Sequence, residues 1–306
     1  MAHTPFRGNY TVCLTAFDQS GALDLERMAG YVEWQIAQGV DGLIPLGSTG
    51  EFLSLSREER SAVAECVIRT ARGRVPVLIG SAAESTEETI SLSQEAEALG
   101  ADGVMVIAPF YSSPTPEERF THFRRVAESL SLPVMVYNNP FTANIDITAA
   151  DLARLSEIDN ILYVKDTSKN VHRVTEILDL CQGRLEVFAG YYPWESCLAG
   201  AVGYSSVVSN IAPTLSTELV TRACNLTDWE ASRALYRRML PLINALGGDL
   251  YVPATKAAML MIGQDMGPPR SPRLPLPAAA AQKLRAILTA PELGLLGSAP
   301  TSHHNK

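Results

Sequence analysis

Eight short apolar runs rich in valine and isoleucine alternate along the chain with longer stretches of helical apolar spacing. The runs occupy residues 10–17, 41–46, 75–80, 102–108, 132–137, 160–165, 185–190 and 202–208. Many of the stretches between them are opened by Ser, Thr or Asp and closed by Gly, which is typical of helices. Eight strand–helix units are what a closed parallel barrel requires, so we predict a (β/α)₈ TIM barrel of the α/β class. An open, doubly wound sheet is the rival fold, but it usually carries a G-x-G-x-x-G turn that this sequence lacks.

The chain of 306 residues is long enough for a barrel and a small additional unit. We assign residues 1–212 to the barrel and 213–293 to a C-terminal helical annex, because the apolar runs stop near residue 212 while helical patterns continue. Residues 267–277 contain five prolines, each of which lacks an N–H and fixes φ, so they predict an extended connector. Residues 294–306 predict a disordered tail.

The charge balance narrows the choice of partners. Acidic residues outnumber basic ones by 33 to 25, and the formal net charge is -8, so we expect neither nucleic acid nor a membrane surface as a partner. The first residues show no basic leader with an apolar core, and we therefore expect a cytoplasmic protein. The five scattered cysteines indicate reduced thiols, and the histidines lack the i, i+4 pairing of a zinc helix, so we expect no metal site.

One lysine ends an apolar strand. The run ILYVK places Lys165 at the C-terminal end of the sixth strand, on the face where barrel enzymes build their sites. Burial there would lower the pKa of the amine and make it a nucleophile toward a carbonyl, whereas the alternative is a structural ion pair with Asp166 or another carboxylate. Tyr137 ends the preceding strand and is either a proton-transferring phenol beside Lys165 or a core aromatic.

Two further segments follow strand ends. The sequence LGSTGE at 46–51 has glycines for a tight turn and the hydroxyls of Ser48 and Thr49 for a small anion, although a plain structural turn would look the same. A phosphate loop is disfavoured because the Gly-Lys-Ser/Thr ending is absent. After the fourth strand, Tyr111 in the sequence APFYSSPTP is either functional or a surface aromatic.

Taken together, LGSTGE, PFY, YNNP and YVKD resemble the N-acetylneuraminate lyase and dihydrodipicolinate synthase family in order and in spacing, and the resemblance covers residues 8 to 293. It implies a lyase that holds pyruvate or a related 2-oxo acid as a Schiff base, with no cofactor and in a homotetramer built as a dimer of dimers. By this resemblance, Lys165 is the Schiff-base lysine, Tyr137 is the proton shuttle, and Tyr111 joins the proton relay from a neighbouring subunit. The residues that we expect to bind substrate are Ser48, Thr49, Gly50, Thr142, Thr167, Gly190, Tyr191 and Ser206. Ser48 is also expected to take part in catalysis.

The departures from the family pattern bear on the substrate. Thr142 stands where dihydrodipicolinate synthases carry an arginine for the carboxylate of aspartate semialdehyde, and a hydroxyl is a weaker partner for that group. Asn144 replaces the usual glycine and tolerates left-handed backbone angles. Tyr191 and Tyr192 stand where sialic-acid lyases carry an acidic, sugar-binding pair.

These departures favour a catabolic lyase that cleaves, dehydrates or deaminates a short 2-oxo acid. Dihydrodipicolinate synthase remains the alternative function. A non-catalytic 2-oxo acid sensor would need no Lys165 and Tyr137 pair, and a metal-dependent class II aldolase would need clustered His and carboxylate ligands.

Overall fold

The structure is a computed structural model that describes residues 5–226 and 228–296. Its centre is a barrel of eight parallel strands in the order β2-β1-β8-β7-β6-β5-β4-β3. The barrel closes between β2 and β3 through a parallel bridge from Leu43 to Val77, with the amide of Leu43 donating to the carbonyl of Pro76 at 3.0 Å. The strands are β1 Gly8–Val12, β2 Gly42–Ile44, β3 Leu78–Gly80, β4 Gly103–Ile107, β5 Val134–Asn138, β6 Ile161–Asp166, β7 Glu186–Ala189 and β8 Gly203–Ser206. The predicted TIM barrel is therefore confirmed, with one strand in each of the eight apolar runs.

Helices follow the strands and cover the outside of the barrel. Local sequence defines the starts of three of them through capping boxes, in which two side chains satisfy free amides of the first turn. The pairs are Ser56 with Glu59, Thr115 with Glu118 and Thr148 with Asp151. The helices are α1 Leu25–Ala37, α2 Arg57–Ala71, α3 Thr86–Leu99, α4 Pro116–Glu128, α5 Pro140–Ala143, α6 Ala149–Leu155, α7 His172–Cys181, α8 Pro193–Leu198, α9 Pro213–Asn225, α10 Trp229–Ala245, α11 Tyr251–Met261 and α12 Ala278–Leu288. Short 3₁₀ helices span Ser48–Gly50, Phe52–Ser54 and Val208–Asn210.

The C-terminal helices form the helical annex that the sequence predicts. Helix α9 packs against β1 in the manner of a barrel helix, since Asn9 on β1 donates to the Thr217 hydroxyl at 3.0 Å. Helices α10, α11 and α12 follow, and α12 packs against both α10 and α11. The domain boundary at residue 212 stays a prediction. The predicted disordered tail is wrong at its start, because Leu295 and Leu296 are partly buried against the core, and its residues beyond Leu296 lie outside the described part of the chain.

Residues 267–277 contain no helix, as their prolines predict, but a turn at Ser271 and Pro272 interrupts the extended course, with the Arg273 amide donating to the Arg270 carbonyl at 3.1 Å. Arg270 anchors this connector. Its guanidinium donates to both carboxylate oxygens of Glu59 at 2.7 Å and to the carbonyls of Gly21 and Ser54. The connector therefore holds the annex close to the loop that precedes α2.

Aromatic rings fill the barrel interior below the C-terminal ends of the strands. The ring of Tyr10 meets that of Phe188 edge-on at 5.1 Å, and Tyr163 lies 6.0 Å from Phe188. Phe188 is the register partner of Lys165 on the neighbouring strand, so this aromatic layer closes the barrel beneath the lysine. Any site must open at the C-terminal face.

No helix within residues 5–226 and 228–296 is long and apolar enough to cross a membrane. The same residues include no cluster of three or more His, Cys, Asp or Glu side chains suited to holding a metal ion. His122 is buried on α4, and its ring nitrogen lies 2.9 Å from the Thr86 hydroxyl.

Candidate active site

Lys165 and Tyr137 lie side by side at the C-terminal face of the barrel. They are register partners on β6 and β5, so both side chains point into the barrel interior from adjacent strands. The Lys165 ammonium nitrogen lies 4.2 Å from the centre of the Tyr137 ring. Both side chains are buried, with relative exposures of 6%. The sequence-based expectation that these two residues meet is thus confirmed.

Burial lowers the pKa of Lys165 to about 7, because a charged amine loses its hydration in this apolar position. No carboxylate in the described part of the chain lies within 4 Å of it, so the alternative of a structural ion pair is wrong. Asp166 points to the other side of the strand, where it accepts hydrogen bonds from Asn138 Nδ2 at 2.8 Å and Ser168 Oγ at 2.5 Å. A large part of the lysine population is therefore neutral and nucleophilic near neutral pH.

The Tyr137 phenol lies within a set of polar side chains. Asn139 Nδ2 donates to its oxygen at 2.8 Å. Burial raises the pKa of Tyr137, while hydrogen bonding with Asn139, Ser48 and Thr167 opposes that rise. A phenol held in this way stays protonated at neutral pH and can exchange its proton with a neighbouring hydroxyl.

The turn after β2 brings Ser48, Thr49 and Gly50 to the same face. These residues form a 3₁₀ helix whose first amides have no partner within the helix, so they can donate to an anion. Thr49 is buried, and the Thr15 hydroxyl fixes the turn by donating to the Gly50 carbonyl at 2.7 Å. A side chain at position 50 would begin 3.0 Å from the Cys13 carbonyl, so glycine is the residue that fits.

Glu51 ends this turn in a left-handed conformation with φ 55°. Its carboxylate pairs with the Lys256 ammonium of α11 at 3.0 Å, and both side chains are almost fully buried. The second carboxylate oxygen accepts the backbone amide of Arg270 at 2.9 Å. The annex therefore holds the far end of the candidate anion-binding turn.

Thr167 and Gly190 form the side of the site between β6 and β7. The Thr167 hydroxyl donates to the Asn138 carbonyl at 2.5 Å, and the Gly190 amide donates to the Asp166 carbonyl at 2.8 Å. A Cβ atom at position 190 would lie 1.9 Å from Thr167 Cγ2 and 2.8 Å from the Asp166 carbonyl oxygen. Glycine is required there because the two strand ends approach so closely.

Thr142 and Tyr191 lie at the mouth of the barrel. Thr142 is exposed in the one-turn helix α5, where its amide donates to the Asn139 carbonyl at 3.1 Å. Asn144 ends this helix with φ 54°, so the expectation that asparagine supports the left-handed turn is confirmed. Tyr191 is half-buried, and burial raises the pKa of its phenol.

Ser206 does not face the candidate active site. It is the register partner of Thr11, whose hydroxyl contacts Gln35 of α1 on the outer side of the sheet, and its own hydroxyl accepts the Ser209 amide at 2.9 Å. The preceding residue, Ser205, is the register partner of Tyr10 and faces the barrel interior. Its buried hydroxyl has no hydrogen-bond partner within the described residues. Ser205 therefore replaces Ser206 as the candidate on β8.

Tyr111 is 88% exposed and lies outside the site of its own chain. Its loop is nevertheless held in place. The Glu84 carboxylate accepts the backbone amides of Phe110 at 3.0 Å, Tyr111 at 3.1 Å and Ser112 at 2.8 Å. The tyrosine is presented outward by an ordered loop.

Three residues at the site escape the sequence-based prediction: Asn139, Ser205 and Lys169. Asn139 lies within the YNNP motif, which offered a signal for it, whereas Ser205 differs from its neighbour only in the side of the strand that it occupies. Lys169 lies in the loop after β6, with its ammonium nitrogen 4.6 Å from the ring of Phe141 and 4.8 Å from that of Tyr191. That position depends on three loops and leaves no local sequence signal.

Comparisons with known proteins agree with this geometry. The model of the dihydrodipicolinate synthetase family matches residues 5–291. The 4-hydroxy-tetrahydrodipicolinate synthase of Acidiphilium cryptum (strain JF-5) is 36% identical over 293 residues, covering 95% of this chain and 99% of the relative. The structure of the chloride-inhibited dihydrodipicolinate synthase from Acinetobacter baumannii, complexed with pyruvate, matches with a TM-score of 0.91 and 32% identity, over 95% of this chain and 100% of that one. A monomeric dihydrodipicolinate synthase variant matches with a TM-score of 0.89 and 32% identity, over 95% and 98%.

A parallel barrel with a buried, unpaired lysine at its C-terminal face, together with these matches, defines a class I lyase that works through a lysine Schiff base on pyruvate. The chain belongs to the dihydrodipicolinate synthetase family. The names of the relatives favour the dihydrodipicolinate synthase alternative over the catabolic interpretation.

Proposed function

We propose that the Lys165 amine attacks the ketone of pyruvate and that loss of water leaves a protonated imine on this residue. The observation that carries the proposal is the burial of Lys165 without a counter-ion, which keeps much of the amine neutral near pH 7. The imine then withdraws electrons from the adjacent methyl group. Loss of a methyl proton gives an enamine, which is a carbon nucleophile.

The remaining site residues take supporting roles in this proposal. The Thr49 hydroxyl and the backbone amides of Ser48 and Thr49 bind the pyruvate carboxylate. Tyr137 transfers protons during formation and loss of the carbinolamine, with Asn139 fixing the orientation of its phenol and Ser48 accepting or returning the proton. Gly190 and Thr167 shape the wall beside the imine. The catalytic groups in this proposal are all side chains and amides of the protein.

We propose that the enamine condenses with aspartate semialdehyde, as the names of the relatives suggest. The enamine carbon forms a bond to the aldehyde carbon, the aldehyde oxygen takes up a proton, and hydrolysis of the imine frees Lys165. A catabolic 2-oxo acid lyase would use the same imine, and the panel of substrates that turn over separates the two. A non-catalytic 2-oxo acid sensor would turn over none of them.

Reductive trapping tests the central step. Borohydride added with pyruvate should place a stable mass on the peptide that contains Lys165, because reduction of an imine is irreversible. The Lys165→Ala variant should remain folded and take no label. A label on another residue, or one that survives the substitution, would remove Lys165 from the mechanism.

We further propose that the protein forms a homotetramer in which Tyr111 reaches the site of a neighbouring copy. The support is an exposed apolar pair: Tyr111 is 88% and Leu53 65% exposed, while Phe110 and Phe52 beside them pack edge-on at 6.2 Å. Mixing inactive Tyr111→Phe with inactive Lys165→Ala subunits should restore activity, since one copy of each rebuilds a complete site. Mixtures that stay inactive after verified subunit exchange would argue against a shared site.

We propose a cytoplasmic location for this reaction. The five cysteines are free thiols, and the Cys224 thiol donates a hydrogen bond to Cys197 Sγ at 2.9 Å. Free thiols of this kind suit a reducing compartment.

A further inference from the structure

Lys169 lies at the entrance to the site, four residues beyond Lys165. Its ammonium nitrogen stands 4.6 Å from the ring centre of Phe141, in the loop after β5, and 4.8 Å from that of Tyr191, in the loop after β7. The side chain therefore spans the mouth of the barrel above β6. Two aromatic faces fix the direction in which the charge points, even though the residue is exposed.

The backbone around Lys169 is held in an unfavourable conformation. Lys169 has φ 62°, a left-handed angle that a lysine rarely adopts. The loop is fixed on both sides, because the Ser168 hydroxyl donates to Asp166 at 2.5 Å and the Asn170 amide donates to the Ser168 hydroxyl at 3.3 Å. A residue kept at such an angle in a site loop suggests a function for its side chain.

The charge of Lys169 is not neutralised. Within residues 5–226 and 228–296, no carboxylate lies within 4 Å of its ammonium, whereas Lys256 is paired with Glu51 and Arg270 with Glu59. Thr142, which follows Phe141 in the chain, offers only a neutral hydroxyl. Burial, and then the nearby Tyr137 phenol, raise the pKa of Tyr191, on whose ring the lysine rests. The free positive charge is thus linked to the catalytic centre by one aromatic side chain.

We propose that Lys169 binds the carboxylate of the second substrate and so selects an aldehyde that carries one. The inference rests on the proposed condensation at Lys165 and adds the residue that determines its specificity. With its carboxylate on Lys169 at the mouth, the aldehyde end extends inward toward the enamine. The carboxylate contact comes from the loop after β6, while the loop after β5 supplies the aromatic face of Phe141.

The contact should appear mainly in KM, because it forms with the substrate before the carbon–carbon bond does. An exposed ion pair is weakened by water and salt, so we expect an effect of about tenfold. Arg273 is a second cation to consider, since its guanidinium lies 5.4 Å from the ring of Tyr251. It lies on the connector, away from β6, and serves as the competing candidate.

The test compares four forms of the full-length protein. Lys169→Met keeps the length and the stacking of the side chain without its charge, and Lys169→Arg keeps the charge. Arg273→Gln removes the competing cation. Lys283→Met makes the same charge change as Lys169→Met at an exposed site on α12. Each form is assayed for condensation with aspartate semialdehyde at saturating pyruvate, over a range of sodium chloride concentrations, and for borohydride trapping of pyruvate alone.

We expect Lys169→Met to raise KM for aspartate semialdehyde about tenfold, with kcat and pyruvate trapping unchanged. Lys169→Arg and Lys283→Met should resemble the unmodified protein. Salt should raise KM of the unmodified protein and have little effect on that of Lys169→Met. An unchanged KM in Lys169→Met, or a larger effect from Arg273→Gln, would overturn the assignment.

The proposed function fails in a different way. An unmodified protein that traps pyruvate but condenses it with no carboxylate-bearing aldehyde would refute the condensation, and the role of Lys169 with it. An unmodified protein that traps no pyruvate on Lys165 would refute the imine itself.

Discussion

The reactivity of the Lys165 amine comes from the aromatic side chains that surround it. Phe188 is its register partner on β7, Tyr137 is its partner on β5, and Tyr163 precedes it by two residues on the same face of β6. Aromatic side chains therefore exclude water from the amine without supplying a counter-charge. Loss of hydration is the cause of its lowered pKa.

This pKa predicts the pH dependence of imine formation. The neutral amine is the nucleophile, and its fraction grows as the pH rises through about 7, so the rate should rise and then level off above about pH 8. At pH 6 the rate should be about one tenth of the plateau. Single-turnover trapping with pyruvate across this range measures the curve. A rise centred above pH 9 would show that the amine is charged at neutral pH.

Gly190 is predicted to be essential for the site wall. The Gly190→Ala change places a methyl group against Thr167 and the Asp166 carbonyl, and such overpacking costs about 1–3 kcal/mol of folding stability. It should also displace Thr167 and lower the rate of imine formation. Thermal unfolding and pyruvate trapping measure the two effects.

Gly30 provides the matched control for that change. It is exposed within α1, and no atom lies within 4 Å of a Cβ added there. Gly30→Ala should stabilise the protein by about 0.5–1 kcal/mol through helix propensity and leave trapping unchanged. Equal behaviour of the two alanine variants would contradict the close approach of the strand ends at Gly190.

At the scale of elements, the loop after β4 shows how one carboxylate can order an exposed residue. Three successive amides of residues 110–112 converge on the Glu84 carboxylate. Burial raises the pKa of this group, but hydrogen bonds from the Ser112 side chain and from these amides outweigh it and bring the pKa below its usual value. The carboxylate is therefore ionised at neutral pH. Its charge is what holds the Tyr111 loop.

The Glu84→Gln variant should loosen this loop. Replacing a charged acceptor by a neutral amide weakens hydrogen bonds worth about 1.5–3 kcal/mol each, so the amides of residues 110–112 should exchange with deuterium at least about tenfold faster. Glu33 lies exposed on α1 and pairs with Arg74, so Glu33→Gln should leave that exchange unchanged. An unchanged exchange rate in Glu84→Gln would show that another contact orders the loop.

The sequence predicted elements better than it predicted their ends. The first apolar run extends to Phe17, but β1 ends at Val12, and residues 13–17 continue as buried coil in which the Phe17 amide donates to the Met266 carbonyl at 3.2 Å. Apolar composition reports burial, and it reports a strand only where a neighbouring strand supplies the hydrogen bonds. For the same reason Lys165 and Tyr137 were predictable from strand ends, whereas Lys169 depends on contacts among three loops.

At the scale of the whole molecule, the annex and the barrel share a buried ion pair. Lys256 on α11 reaches Glu51 at 3.0 Å and also donates to the Pro268 carbonyl at 2.9 Å. Burial lowers the pKa of Lys256, and the nearby Glu51 carboxylate opposes that effect. Neither charge is accessible to water, so each depends on the other.

Lys256→Met should destabilise the protein by about 3–5 kcal/mol, because Glu51 would be left buried without a counter-charge. Adding Glu51→Gln to that variant should recover part of the loss, since the uncompensated charge is then removed. Chemical denaturation of the single and double variants measures both energies. A double variant less stable than the sum of its single changes would contradict direct pairing.

Separating the barrel from the annex would break the ion pair between Glu51 and Lys256. A barrel separated from its annex would carry an unpaired buried carboxylate at the end of the Ser48–Gly50 turn, and that turn would reorganise to bring the charge to water. On heating, catalytic activity should therefore be lost in the same cooperative transition in which the barrel and the annex unfold. Attempts to graft this site onto a minimal eight-stranded scaffold would have to transplant α11 with it or redesign position 51.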